Sequence, residues 1–214
     1  MLTTPDPRFL SITAHDLRGA VGVIDGAMKE LLREVSKDNA DAAKLSQMMG
    51  RSTQRLLLLG DRLSALAKLM AGGELELQNV DLFATVKEAA NRSFSAHARR
   101  NLHLQVEGSQ TPCAVHTQSF TAAVAELTAL FCSFSQGELE ITVGRHADSV
   151  RVKFESDNKG ESVQRALRDR QAATLASAGI NFAEAVVARH HGTLELSEND
   201  GTNAAVSLVL PGSS

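Results

Sequence analysis

From Leu45 to Met70 the chain sets residues at alternating steps of four and three: Leu45, Met49, Ser52, Leu56, Leu59, Leu63, Leu66 and Met70. All but Ser52 are apolar. This is a heptad pattern sustained over more than three repeats, and it dictates a long helix carrying one narrow apolar seam. A second helical pattern precedes it, opening after Pro5 and Pro7 and running from about Phe9 to Ser36, with Phe9, Ile12, Ala20, Ile24, Met28, Leu31 and Val35 as its apolar positions. The polar connector Lys37-Asp38-Asn39 joins the two. Helices of roughly 30 residues extend about 45 Å, and a single hairpin of that length cannot cover its own stripe. The pattern therefore predicts a long helical hairpin that pairs with a second copy in a dimeric four-helix bundle. The alternative is that the hairpin packs on the rest of its own chain.

At Gly72-Gly73 the periodicity changes, which divides the chain into residues 1–73 and 74–214. Beyond it, Leu75–Asn79 and Leu102–Glu107 alternate as strands, Asp81–His97 reads as a helix with Asp81 as its N-cap, and Ser119–Phe134 is an apolar helix. Leu139–Gly144 and Val150–Phe154 form a hairpin around Ala147-Asp148. A helix from about Ile180 to His190 leads to strands Thr193–Ser197 and Ala204–Pro211, joined by an Asn199-Asp200-Gly201 turn. The expected fold class is thus α plus α/β: a helical hairpin followed by a two-layer α/β sandwich.

Composition narrows the functions open to this fold. Among 214 residues there is no Trp or Tyr and the formal net charge is −3, so neither base-stacking surfaces nor an electrostatic footprint for nucleic acid is provided. No apolar run approaches the ~20 residues of a membrane span, and the N-terminal residues Met1–Pro7 lack the features of a signal peptide. Cys113 and Cys132 have no metal-type spacing. A cytoplasmic protein with reduced thiols, binding neither nucleic acid nor membrane, is the expectation.

His15 stands out in the first helix, in Phe9-Leu-Ser-Ile-Thr-Ala-His15-Asp16-Leu17-Arg18-Gly19-Ala20-Val21. Near neutral pH its ring offers a lone pair for nucleophilic attack. Gly19, Gly22 and Gly26 follow it on one helical stripe, at steps of four, three and four. Each interior glycine costs a helix about 1 kcal/mol against alanine, so three together require a reason. Either the strip admits a partner's helix close to His15, or it permits tight packing between the bundle's own helices.

His15-Asp16-Leu17-Arg18 resembles the phosphoacceptor box of bacterial sensor histidine kinases, where His-Glu/Asp-Leu-Arg precedes Thr-Pro-Leu. Gly19-Ala20 replaces the Thr-Pro, and with it the helix kink that proline brings. Val80-Asp81-Leu82 is similar to the opening of the family's ATP-binding domain, and Val186–Leu196 with Leu208-Val209-Leu210-Pro211 to its closing segment. The resemblance implies a histidine kinase core: a dimerising hairpin that carries the histidine, then a GHKL-type ATPase-like domain.

The same resemblance places the family's magnesium-binding asparagine at Leu130, in Glu126-Leu127-Thr128-Ala129-Leu130-Phe131, where no oxygen is available for a hard cation. Its Asp-x-Gly-x-Gly box falls on Glu155–Gly160, with either Ser156 or Asp157 at the aspartate position and a glycine lost in both registers. Its second glycine box is reduced to Gly179 in Ser177-Ala178-Gly179-Ile180, and few residues separate Gly160 from Ser177 for a lid. ATP binding is therefore not expected.

Short chains of this form resemble stand-alone histidine phosphotransferases. Their activity implies transfer between receiver-domain aspartates through His15, with Asp16 and Arg18 beside it and Mg²⁺ supplied by the receiver. Asp16 would orient the ring and Arg18 would screen the phosphoryl charge; the alternative for each is an ordinary solvated helix residue. The alternative for the whole chain is a pseudokinase module that binds a response regulator or kinase without phosphotransfer. His190-His191 cannot chelate one ion from adjacent helix positions, and His97, His103, His116 and His146 are assigned no role.

Overall fold

The computed structural model describes residues 7–34, 40–72, 74–97, 101–135, 137–156, 175–199 and 203–212. The expected connector Lys37-Asp38-Asn39, the box positions Asp157–Gly160, the lid interval up to residue 174 and the turn residues Asp200-Gly201 lie outside them. The chain forms two compact units, Met1–Gly72 and Gly73–Ser214.

The first unit contains α1 (Pro7–Glu34) and α2 (Ala40–Met70). They run antiparallel. Gly60 lies under Ala14 and Arg18, while Gly50 lies beside Met28. The seam between them is built from Ala14, Val21 and Met28 on α1 and from small residues on α2, with Thr53, Gly60, Ser64 and Ala67 all buried. Small side chains let two helix backbones approach closely. The heptad stripe of α2 turns elsewhere. Leu45, Met49, Leu56 and Leu59 are 60, 47, 40 and 43% exposed.

The second unit begins with β1 (Gln78–Asp81), followed by α3 (Leu82–His97), β2 (His103–Gly108), β3 (Pro112–Val115), α4 (Thr117–Phe134), β4 (Glu138–His146), β5 (Ser149–Ser156), α5 (Leu175–Arg189), β6 (Thr193–Asn199) and β7 (Asn203–Pro211). Five strands form one sheet in the order β2-β4-β5-β7-β6, parallel between β2 and β4 and antiparallel elsewhere. One register row crosses the sheet through Val106, Ile141, Phe154, Val206 and Leu196, and a neighbouring row through Val143, Val152, Leu208 and Leu194. Leu196, at the sheet edge, is 37% exposed, while the alternating burial of β4 and β5 turns Ile141, Val143, Val152 and Phe154 toward the core. There they meet the apolar sides of the helices, with Phe131 of α4 stacked on Phe154 at 6.1 Å between ring centroids. The opposite positions of β5 are polar and take part in the ion pairs Arg151–Glu195 and Lys153–Glu155.

Two expectations shift. The strand expected at Leu75–Asn79 begins only at Gln78, and it pairs with β3, a strand that was not expected. Leu75 and Leu77 alternate but pair with no strand among the described residues, and Leu77 is 41% exposed. Asp81 does cap α3: its Oδ1 accepts the Phe83 N–H at 3.1 Å and also the Thr111 N–H at 3.0 Å. The one carboxylate thus ties the helix start to the strand entering beside it. Among the described residues, no helix is long and apolar enough to cross a membrane.

Candidate functional site

Successive helix residues turn by about 100°, and this rotation gives α1 three distinct sides. One side, marked by Ala14, Val21 and Met28, is buried against α2. A second carries His15, Gly19, Gly22 and Gly26, all exposed. A methyl group built on any of these three glycines meets nothing within 4 Å among the described residues beyond its own helix. The third side carries Ile24, 50% exposed. Nine residues separate His15 from Ile24, about two and a half turns, so the histidine and this apolar flank face opposite ways. Among the described residues of the first unit nothing packs on the glycine strip, so the α1–α2 seam does not account for it.

Arg18 follows His15 by three residues, which places the two on adjoining turns of α1. Its guanidinium reaches across the seam to α2, where Nη1 lies 3.5 Å from Asp61 Oδ1. Its stem lies over Gly60: a Cβ there would sit 3.0 Å from Arg18 Cγ and 3.5 Å from the Ala14 carbonyl oxygen. The structure therefore brings together Arg18, Gly60 and Asp61, one helical turn from His15, and of these Gly60 and Asp61 were not anticipated. Their only trace in the sequence is a glycine inside a leucine-rich helix followed by a lone acid, Gly60-Asp61. Asp16 lies next to His15 on α1.

The remaining sequence candidates lie in the second unit. Leu130 is buried on α4, 7% exposed, and Gly179 is buried within helix α5. Ser156 closes β5 at 2% exposure, its hydroxyl without a hydrogen-bond partner among the described residues. Both cysteines are buried, and burial pushes the Cys132 thiol up to about 12, which leaves it an unreactive thiol at neutral pH.

Two histidines that the sequence left without a function prove structural. His116 caps α4, its Nδ1 accepting the Ser119 N–H at 3.3 Å. His190, 2% exposed, accepts the His116 N–H at Nε2 (2.9 Å) and lies 2.7 Å from the Val186 carbonyl through Nδ1. This arrangement requires a neutral ring protonated on Nδ1. Burial pushes its pKa down, against the opposing pull of the Val186 carbonyl. His97 likewise bonds its own helix, with Nδ1 2.9 Å from the Ser93 carbonyl.

No protein-family model and no curated protein matches the chain. Solved structures do. The histidine kinase AdeS of Acinetobacter baumannii superposes with a TM-score of 0.56 at 16% identity, covering 94% of this chain and 98% of that one. The fold is that of a histidine kinase core. Full-length ShkA, solved in complex with AMPPNP, gives 0.59 at 16% identity over 98% of this chain and 47% of its own length. The histidine kinase domain of the blue-light activated histidine kinase of Erythrobacter litoralis EL346 gives 0.52 at 17% identity, over 89% and 95% of the two chains. Leu130, at the position that the resemblance ties to magnesium, supplies no oxygen to a hard cation; of the two candidates for the aspartate position, Ser156 carries a hydroxyl and Asp157 lies outside the described residues.

Proposed function

We propose that this chain is a histidine phosphotransferase of a two-component phosphorelay, with His15 as the carrier. The observation that supports it most is the exposure of His15 beside a strip where Gly19, Gly22 and Gly26 leave open space. A receiver domain presenting an aspartyl phosphate can bring its backbone close to that strip. An imidazole nitrogen of His15 then attacks phosphorus with its lone pair. The bond from phosphorus to the aspartyl oxygen breaks as the N–P bond forms, the receiver's carboxylate leaves with the electron pair, and the ring's N–H proton stays or passes to solvent. The reverse step delivers the group to a second receiver's aspartate. The receiver supplies the Mg²⁺ that screens the phosphoryl charge, and ATP takes no part.

The exposed heptad residues Leu45, Met49, Leu56 and Leu59, with Ile24 on the far side of α1 from His15, form an apolar surface that a second copy would cover. We read the working form as a homodimer with a four-helix bundle, which leaves both glycine strips outward. Incubation with a phosphorylated receiver should place an acid-labile phosphate on the protein, and His15→Ala should abolish it. No label on the wild-type protein from any receiver of its host would favour the second reading, a module that binds a regulator without phosphotransfer. Titration with Mg-ATP should show no heat of binding; micromolar affinity would return the chain to the kinases.

A further inference from the structure

We propose that Asp61 is a positioning residue for the carrier histidine: it holds the Arg18 guanidinium across the α1–α2 seam and releases it when a phosphoryl group arrives on His15. The inference rests on the carrier reading of His15 and adds a determinant of how tightly the group is held. Three observations place Asp61 in this role. Gly60 gives α2 a bare backbone at the level of Ala14, the residue before His15, so the Arg18 stem lies flat against it. The next residue, Asp61, meets the guanidinium at 3.5 Å. The two side chains are 35 and 28% exposed, so the pair is open to solvent.

That geometry describes an exchangeable contact. Charge-assisted hydrogen bonds close to about 2.7–2.9 Å, and this one is longer and wet, in the class of ion pairs that contribute little to stability. A phosphoryl group on His15 brings up to two negative charges within one helical turn of Arg18, against the single charge of Asp61. The guanidinium fork also matches phosphate oxygens bidentately. Arg18 therefore moves from the carboxylate to the phosphoryl group. Because Asp61 competes for the same cation, it lowers the affinity of His15 for the group. A carrier has to release its cargo as readily as it accepts it, and this competition moves the phosphohistidine toward that balance.

The experiment is a phosphoryl-exchange equilibrium between the full-length protein and one receiver domain. The readout is the ratio of phosphohistidine to aspartyl phosphate at fixed concentrations. Asp61→Asn should raise this ratio about two- to five-fold, the range that a weak exposed ion pair corresponds to. Asp61→Ser, which also removes the charge, should move it equally. In an Arg18→Gln background, Asp61→Asn should leave the ratio unchanged, since the group it competes for is gone. A ratio that Asp61→Asn leaves unchanged in both backgrounds overturns the inference and leaves the carrier reading intact, as does an equal rise in both. If the wild-type protein takes up no phosphoryl group, the carrier reading itself fails.

Discussion

Replacing Gly19, Gly22 and Gly26 together by alanine separates the cost of the glycine strip from its use. Each glycine lies inside a 28-residue helix, where glycine is about 0.8–1.0 kcal/mol worse than alanine. None of the three new methyl groups would meet another part of the described residues within 4 Å, so no packing penalty offsets the gain. The expected result is a first unit stabilised by roughly 2–3 kcal/mol. With no Trp or Tyr in the chain, denaturant unfolding is best followed by far-ultraviolet circular dichroism. Phosphoryl uptake from a receiver, measured on the same sample, should fall, because the methyl groups stand between α1 and the approaching domain. Greater stability with slower uptake is the predicted pair of results. A destabilised variant would show that the strip is packed against a second copy. A stabilised variant with unchanged uptake would show that the receiver docks elsewhere. Either outcome refutes the docking role.

His190 gives the fold an acid limit. A histidine whose folded pKa lies below its unfolded value of about 6.5 favours the native state above that value, and its contribution is lost as pH falls through the folded pKa. His190 is depressed by burial, so melting temperature should drop below pH 6.5, and His190→Asn should flatten that drop while lowering stability throughout. His191 holds φ at 58° where α5 ends, a left-handed conformation that favours glycine. His191→Gly should stabilise the second unit by about 0.5–1 kcal/mol in denaturant titration.

Both the helical first unit and the sheet-bearing second one were legible from periodicity. The rows through Ile141, Phe154 and Val206 are written as plain alternation, and Asp81 announced the start of its helix. The missing strand β3 is four residues, Pro112-Cys113-Ala114-Val115, too short to show a period and led by a residue with no N–H. The His116 cap was not anticipated because histidine is not among the preferred N-cap residues, yet its ring nitrogen accepts the Ser119 N–H. The direction of the heptad was not legible either. Apolar spacing shows that a helix has a face and is silent on what meets it. The α2 side of the α1–α2 seam is made of Thr53, Gly60, Ser64 and Ala67, residues too small or polar to register as an apolar stripe. For the candidate site, His15 and the glycines could be named because their types are unusual on a helix. Gly60 and Asp61 reach Arg18 only through the antiparallel register, which one helix's sequence does not contain.

The central claim is that His15 carries a phosphoryl group between proteins without ATP, and a chase experiment tests it most directly. The protein is incubated with a radiolabelled phosphoreceiver, isolated, and mixed with a fresh, unlabelled receiver and Mg²⁺. The account predicts an acid-labile label on wild type and none on His15→Ala, followed by transfer of that label to the second receiver's aspartate. Label that appears only when Mg-ATP is supplied, or that survives the loss of His15, would contradict it.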